Sequence, residues 1–130
     1  MSSVKCRILY VDDHEDTSFM LTHLLGQSDY KVTTADSISR ALELVGKEKF
    51  DLYVLDKRLP DGSGLELCRR LNEVTPEGPI IFYTGDAYQL QRQEGLAAGA
   101  DAYVTKPDID ELIQKVNELL AQLECASAVA

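Results

Sequence analysis

Short apolar runs alternate with stretches of helical periodicity along the whole chain. The runs lie at 4–11, 30–35, 50–55, 79–83 and 102–105, and apolar residues recur at three- and four-residue spacing between and after them. Nearly continuous apolar strands are typical of a parallel sheet that is buried on both faces, and right-handed crossovers place helices on both sides of it. The alternation predicts an α/β fold, doubly wound, with a five-stranded parallel sheet and five helices.

The predicted helices differ in their expected stability. The first covers 14–28, and the second follows a cap at Ser37. The apolar face of the third consists of Leu65, Cys68, Leu71 and Val74. The fourth, over 87–98, is weakly amphipathic and contains Gly95, whereas the last, over 109–123, has the clearest apolar stripe. We therefore expect the fourth helix to rearrange most easily.

Composition limits the class of the protein and its location. A chain of 130 residues is one domain by default, and 126–130 are expected to form a frayed, disordered tail. The net charge of −9 argues against direct nucleic-acid binding, since phosphate backbones attract lysine and arginine. No segment resembles a membrane span or a signal peptide, and Cys6, Cys68 and Cys125 are too far apart for a metal or redox motif. We expect a cytoplasmic protein with reduced thiols.

Charged side chains stand where three of the predicted strands end. Asp12 and Asp13 follow the first strand. Asp56 follows the third strand and Lys106 follows the fifth. Sites in open parallel sheets form outside the carboxyl ends of the strands, so we expect these side chains to share one pocket. Three carboxylates repel one another unless a cation binds, and Mg²⁺ prefers oxygen ligands that it shares with phosphates. The pattern predicts a Mg²⁺ site that handles phosphate.

A carboxylate in such a pocket can accept a phosphoryl group and form an aspartyl-phosphate. The transfer requires mainly positioning and compensation of charge, which Mg²⁺ and Lys106 would supply. Thr84, after the fourth strand, offers a hydroxyl donor. His14 follows the acidic pair, but we expect it to begin the first helix rather than to bind metal or carry phosphate.

The residues that carry this chemistry resemble a known family, the receiver domains of two-component response regulators. The matching segments are 11–13, Asp56 with 59–62, 84–85 and 99–107. They occur in the family's order and at near-family spacing, which makes the combination specific. The resemblance covers nearly the whole chain, so we expect a receiver domain over 1–125. It implies a flavodoxin-like three-layer sandwich with sheet order 2-1-3-4-5.

The resemblance also implies which residues hold the metal and the phosphoryl group. Asp56 matches the phospho-accepting aspartate, and Lys106 matches the lysine that contacts the phosphoryl group. Asp13 matches the direct Mg²⁺ ligand, while Asp12 matches a residue that often acts through water. The backbone carbonyl of Arg58 matches a further metal ligand.

Other matching residues would transmit or tune the signal. Thr84 matches the hydroxyl switch, and Tyr103 matches the aromatic switch. Arg58 and Asp86 match positions that tune the phosphoryl lifetime. The bond between Lys106 and Pro107 matches one that is usually cis, an isomer available mainly before proline.

Together these roles imply a phosphorylation switch. Asp56 would take a phosphoryl group from a sensor histidine kinase or a phosphotransfer protein. The surface formed by the fourth helix, the last strand and the last helix would then change shape and be read by a downstream protein. Such a protein catalyses its own phosphorylation and dephosphorylation but is not a turnover enzyme. We expect a monomer or a phosphorylation-promoted dimer, either stand-alone or part of a longer regulator or hybrid kinase.

Two other functions remain compatible with the sequence. An adaptor could keep the fold and bind its partner without phosphorylation, although the complete acidic set argues against this. A small Mg²⁺-dependent phosphohydrolase could use Asp56 as its nucleophile. Such enzymes typically have an acidic residue two positions later, where this chain has Arg58.

Overall fold

A five-stranded parallel sheet forms the centre of the fold. The computed structural model describes residues 5–85 and 89–123. The strands are β1 (Arg7–Val11), β2 (Lys31–Ala35), β3 (Leu52–Leu55), β4 (Ile80–Thr84) and β5 (Ala102–Thr105). Neighbouring strands are all parallel, in the order β2-β1-β3-β4-β5. The predicted sheet and its flavodoxin-like order are confirmed.

Within the described ranges, five helices cover the two faces of this sheet. They are α1 (Glu15–Gly26), α2 (Ile38–Lys47), α3 (Gly64–Val74), α4 (Gln89–Ala97) and α5 (Ile109–Leu120). Side chains alternate along β1, so that Ile8 and Tyr10 join the core under α1 and α5, while Leu9 and Val11 join the core under α2 and α3. No helix in these ranges has the length and apolar character needed to cross a membrane.

Several boundaries differ from the predicted ones by a few residues. β3 begins at Leu52 rather than at residue 50, and α1 ends at Gly26 rather than at residue 28. α5 ends at Leu120, although Leu123 still packs against the core beside it. The predicted first residues of the fourth helix, the start of the first strand and the predicted tail 126–130 lie outside the described residues.

The apolar face of α3 ends one turn earlier than predicted. Leu67, Cys68 and Leu71 are fully buried, whereas Val74 is 64% exposed. Val74 continues the helical spacing, but α3 ends at this residue and the core beneath the helix stops at Leu71. Leu65, also predicted on this face, is only half-buried.

The described cysteines occupy small apolar positions in the core. Cys68 is a free, fully buried thiol, and burial raises its pKa to about 11. Cys6 is 3% exposed and is disulfide-bonded, so the prediction of reduced thiols is wrong for Cys6.

The loop between β3 and α3 forms a short hairpin that is attached to α2. Arg58–Leu59 pairs antiparallel with Gly62–Ser63. Between them, the Asp61 carboxylate accepts hydrogen bonds from the backbone N–H groups of Ile38 at 2.8 Å and Ser39 at 3.0 Å. These bonds lower the pKa of Asp61 and satisfy two N–H groups at the start of α2 that have no partner within the helix. The loop after Asp56 is therefore fixed at its tip.

Removing the Asp61 carboxylate should weaken this attachment. We expect Asp61→Ala to lower the melting temperature at neutral pH, and Asp61→Asn to lower it less because an amide oxygen can still accept a hydrogen bond. The lowered folded-state pKa means that the carboxylate stabilises the fold above its unfolded pKa of about 3.9, and that this contribution is lost as the pH falls through the folded value. Thermal melts at neutral and acidic pH measure both effects. Equal melting temperatures of wild type and Asp61→Ala at neutral pH would contradict the capping role.

Candidate functional site at the carboxyl ends of the strands

The buried polar and charged side chains of the described residues gather at one end of the sheet. They are Asp12, Asp56, Lys57 and Thr84, and none is more than 7% exposed. The backbone N–H groups of Asp12 and Asp56 continue the sheet ladder and donate to carbonyls of the neighbouring strands at 3.0 and 2.9 Å. The parallel register therefore places the two carboxylates side by side.

Lys106, directly after β5, bridges these two carboxylates. Its Nζ lies 2.7 Å from Asp12 Oδ2 and 3.1 Å from Asp56 Oδ2. Its backbone N–H donates to the carbonyl of Thr84 at 2.8 Å, and its bond to Pro107 is cis as predicted. Burial alone would lower the pKa of Lys106, but the hydrogen bonds to both carboxylates outweigh burial and raise it. The ammonium therefore stays charged between the two acids.

Asp12 is held by hydrogen bonds on both carboxylate oxygens. Its Oδ2 accepts a bond from the Tyr10 hydroxyl at 2.5 Å, in addition to the one from Lys106. Its Oδ1 lies 3.0 Å from the backbone N and 2.7 Å from Nδ1 of His14. Burial alone would raise the pKa of Asp12, but the bonds from Lys106, Tyr10 and His14 hold it below its usual range.

Asp13 and the loop after Asp56 complete a cluster of oxygen atoms. Ligand atoms of Asp12, Asp13, His14 and Asp56 all lie within 4.8 Å of one another. The Asp13 side chain is exposed, which leaves this side of the cluster open. The backbone N–H of Arg58 lies 3.4 Å from Asp56 Oδ1, so the residue whose carbonyl is predicted to bind the metal lies beside this carboxylate. This set of carboxylates fits the oxygen preference of Mg²⁺.

Gly64 fixes the path of the backbone around Asp56. Its N–H donates to the Lys57 carbonyl at 2.7 Å. A Cβ at this position would lie 2.1 Å from the backbone oxygen of Asp56, so no residue other than glycine fits without a shift of the loop. The Gly-rich turn in the sequence therefore has a specific use, which is to let α3 begin against the chain that carries Asp56.

Tyr103 lies on β5, outside the carboxylate cluster. Its ring is 4% exposed and packs 6.0 Å from the ring of Phe82, between centroids. Gly95 of α4 makes room for it, because a Cβ there would come within 2.9 Å of the Tyr103 ring. Thr84, predicted as the hydroxyl switch, is buried at the end of β4, whereas Asp86 lies outside the described residues.

Lys57 connects the loop after β3 with α4 and Tyr103. Its Nζ lies 3.4 Å from the carbonyl oxygen of Gln91 and 6.0 Å from the centre of the Tyr103 ring. The guanidinium carbon of Arg92 lies 5.5 Å from the same ring. The residue next to Asp56 in sequence therefore contacts the element that was predicted to rearrange.

Sequence reasoning missed Tyr10, Lys57 and the position of the His14 imidazole. Tyr10 precedes Asp12 by two residues, so the period of a strand predicts that both point to the same face. His14 is the N-cap of α1 as predicted, but its ring turns toward the acidic cluster. For Lys57 the sequence offers no signal, because its contacts depend on where α4 packs.

In metal-free protein, the His14 imidazole should titrate above the ordinary histidine value, because its hydrogen bond to Asp12 favours the charged ring. The imidazolium then stabilises the fold fully below its unfolded pKa of about 6.5, and this contribution is lost as the pH rises through the folded value. An NMR titration with a chelator measures the midpoint, and His23→Asn identifies the resonance. We expect a lower His14 midpoint in Asp12→Asn. An unchanged midpoint in that variant would contradict the assigned cause.

The chain matches a known family in sequence. Residues 8–117 match the model of the response regulator receiver domain. The alkaline phosphatase synthesis transcriptional regulatory protein PhoP of Bacillus subtilis is 37% identical over 122 residues, which is 93% of this chain and 51% of that protein. The chain spans about half the length of the curated relatives it matches.

Solved structures of response regulators are also similar to this chain. A two-component response regulator from Clostridium difficile superposes with a TM-score of 0.87 at 27% identity, over 92% of this chain and 99% of that one. TrrA from Thermotoga maritima superposes with a TM-score of 0.80 at 35% identity, over 88% and 99%. With the sheet order and the cluster at its carboxyl edge, these matches show that the chain belongs to the response regulator receiver domain family.

Proposed function

We propose that Asp56 accepts a phosphoryl group from a phospho-histidine in a Mg²⁺-dependent reaction. The convergence of Asp12, Asp13, Asp56 and Lys106 carries this proposal. In the transfer, a carboxylate oxygen of Asp56 forms a bond to phosphorus. The bond between phosphorus and the imidazole nitrogen breaks, and the imidazole leaves with the electron pair. Lys106, already 3.1 Å from Asp56, would pair with the phosphoryl oxygens.

The proposed metal site uses the open side of the cluster. Asp13, Asp56 and the carbonyl of Arg58 would hold Mg²⁺ directly, and Asp12 would act through water. Bound Mg²⁺ supplies positive charge opposite the negative charge that develops on the phosphoryl oxygens. The donor set supports this proposal, and so does the structure of TrrA, which was determined in complex with Mg²⁺-BeF.

The proposed switch runs from Asp56 to the surface of α4, β5 and α5. Thr84 would move toward the phosphoryl oxygens, and Tyr103 would occupy the inward position. The Tyr103 ring is 4% exposed in this position. A phosphoryl group that favours the inward ring would shift the populations of two conformations. Lys57 provides a direct contact between the loop after Asp56 and α4.

The proposed partners follow from this chemistry. A sensor histidine kinase or a phosphotransfer protein would donate the phosphoryl group in the cytoplasm. The net charge of −9 supports action through proteins rather than through direct contact with nucleic acid. Several relatives are named transcriptional regulatory proteins and are about twice as long as the matched segment, so a longer regulator is one setting for such a domain. We propose a phosphorylation-dependent switch that is not a turnover enzyme and that is a monomer or dimerises on phosphorylation.

Intact-protein mass spectrometry after incubation with acetyl phosphate tests the acceptor. We expect wild type to gain one phosphoryl group that requires Mg²⁺ and is removed by hydroxylamine, because acyl phosphates are attacked by that nucleophile. Asp56→Asn should show no gain, while Asp110→Asn, an exposed change on α5, should behave as wild type.

A hydroxylamine-labile gain that persists in Asp56→Asn would contradict the assignment of the acceptor. No gain in any protein, also with a phosphorylated histidine kinase as donor, would favour the adaptor that works without phosphorylation. Continuous release of phosphate from phosphate esters would favour the phosphohydrolase.

A methyl group at Gly95 should expel the Tyr103 ring from its buried position. In Gly95→Ala, the added Cβ meets Tyr103 at 2.9 Å and Phe82 at 3.0 Å, so one of the rings has to move. We expect the nuclear Overhauser contacts between the Tyr103 and Phe82 rings to weaken. Gly46→Ala is the matched control, since a Cβ at that helical glycine meets nothing within 4 Å. Unchanged ring contacts in Gly95→Ala would show that Gly95 does not control the ring.

A further inference from the structure

His14 occupies the N-cap position of α1, yet its side chain does not cap the helix. Its backbone is extended, with φ −89° and ψ 104°, and the side chain makes no capping hydrogen bond. The imidazole turns toward the acidic cluster instead. Nδ1 lies 2.7 Å from Asp12 Oδ1, 3.4 Å from Asp13 Oδ1 and 3.8 Å from Asp56 Oδ2. One nitrogen atom thus faces three carboxylates at once.

We propose that His14 is a nitrogen ligand for transition dications at the divalent-cation site, beside Asp13 and Asp56, while Asp12 acts through water and Mg²⁺ is held by the oxygen ligands alone. The site would then take first-row transition dications such as Ni²⁺ and Co²⁺ in addition to Mg²⁺. This inference rests on the metal-binding part of the proposed function and does not depend on the phosphoryl transfer.

The distances around Nδ1 agree with a shared ion. An octahedral ion with bonds of about 2.1 Å places adjacent ligand atoms about 3.0 Å apart and opposite ones about 4.2 Å apart. The distances from Nδ1 to Asp13 Oδ1 and Asp56 Oδ2, 3.4 and 3.8 Å, lie between these two values. Small rotations of exposed side chains suffice to adjust them, since the His14 side chain is 63% exposed and that of Asp13 is 41% exposed.

The hydrogen bonds of Asp12 divide its carboxylate into two sides. Lys106 and Tyr10 both donate to Oδ2. Oδ1 faces His14, on the side where Asp13 is open to solvent. A cation beside the imidazole, with a bound water on Oδ1, would therefore leave the bonds to Lys106 and Tyr10 in place. The ion would replace the hydrogen bond between His14 Nδ1 and Asp12 Oδ1, and the bond from the backbone N–H of His14 to the same oxygen would remain.

A nitrogen ligand changes which metals the site prefers. Oxygen-only sites suit Mg²⁺, whose binding affinity gains little from an imidazole ligand. The affinity of nitrogen-containing sites instead rises from Mn²⁺ through Co²⁺ and Ni²⁺ to Cu²⁺. If His14 only positioned Asp12, its loss would weaken the binding of every dication by a similar factor. If His14 is a ligand, its loss should weaken Ni²⁺ binding and spare Mg²⁺.

Calorimetric titrations of the metal-free full chain with Ni²⁺ and with Mg²⁺ separate these cases. The proteins are wild type, His14→Asn and His23→Asn, which changes the chain's other histidine. We expect His14→Asn to lose about tenfold or more in Ni²⁺ affinity and to keep its Mg²⁺ affinity within about twofold. His23→Asn should match wild type for both ions. Retained Mg²⁺ affinity also shows that His14→Asn is folded.

The remaining outcomes overturn the inference. Equal Ni²⁺ affinity in wild type and His14→Asn would exclude His14 as a nitrogen ligand. Similar losses of affinity for Ni²⁺ and Mg²⁺ would show that His14 only positions Asp12. Failure of wild type to bind Mg²⁺ would instead overturn the metal-binding part of the proposed function. As a direct readout, Zn²⁺ should shift the Nδ1 NMR signal of His14 and leave that of His23 in place. An unmoved His14 signal at saturating Zn²⁺ would also contradict the proposal.

Discussion

The bridge from Lys106 to Asp12 and Asp56 is the interaction on which the rest of the site depends. Two carboxylates that are almost fully buried repel each other and lose hydration, and only opposite charge and hydrogen bonds offset that cost. The ammonium supplies both, at 2.7 and 3.1 Å, and thereby joins the ends of β1, β3 and β5. One ammonium does not balance Asp13 as well, so the open side of the cluster keeps the excess negative charge that a dication would neutralise.

The backbone around Asp56 links this charge balance to the partner surface. Gly64 lets α3 begin against the carbonyl of Asp56, and Asp61 attaches the tip of the same loop to α2. Lys57 reaches α4 and the face of Tyr103. A change in charge at Asp56 would therefore act on a loop that is held at Gly64 and Asp61 and that contacts α4 through Lys57.

Most of the fold and the core of the site were predictable because they follow from local patterns. Apolar runs predicted the strands, and apolar stripes at helical spacing predicted the helices. The positions of Asp12, Asp56 and Lys106 directly after strands predicted that they are neighbours. The remainder depends on tertiary packing. The capping of α2 by Asp61 requires a contact between distant segments, and the direction of the His14 ring requires the side-chain geometry of the cluster. Neither is encoded in spacing along the chain.

The most direct test of the account is the binding of beryllofluoride, a mimic of the phosphoryl group, followed by amide and methyl NMR. We predict saturable binding that requires Mg²⁺, with shifts at Asp56 and Lys106 that extend to Thr84, to Tyr103 and along α4. Shifts confined to the carboxylate cluster would contradict the coupling between the site and α4. Absence of binding at saturating Mg²⁺ and beryllofluoride would contradict the assignment of the cluster as a phosphoryl site.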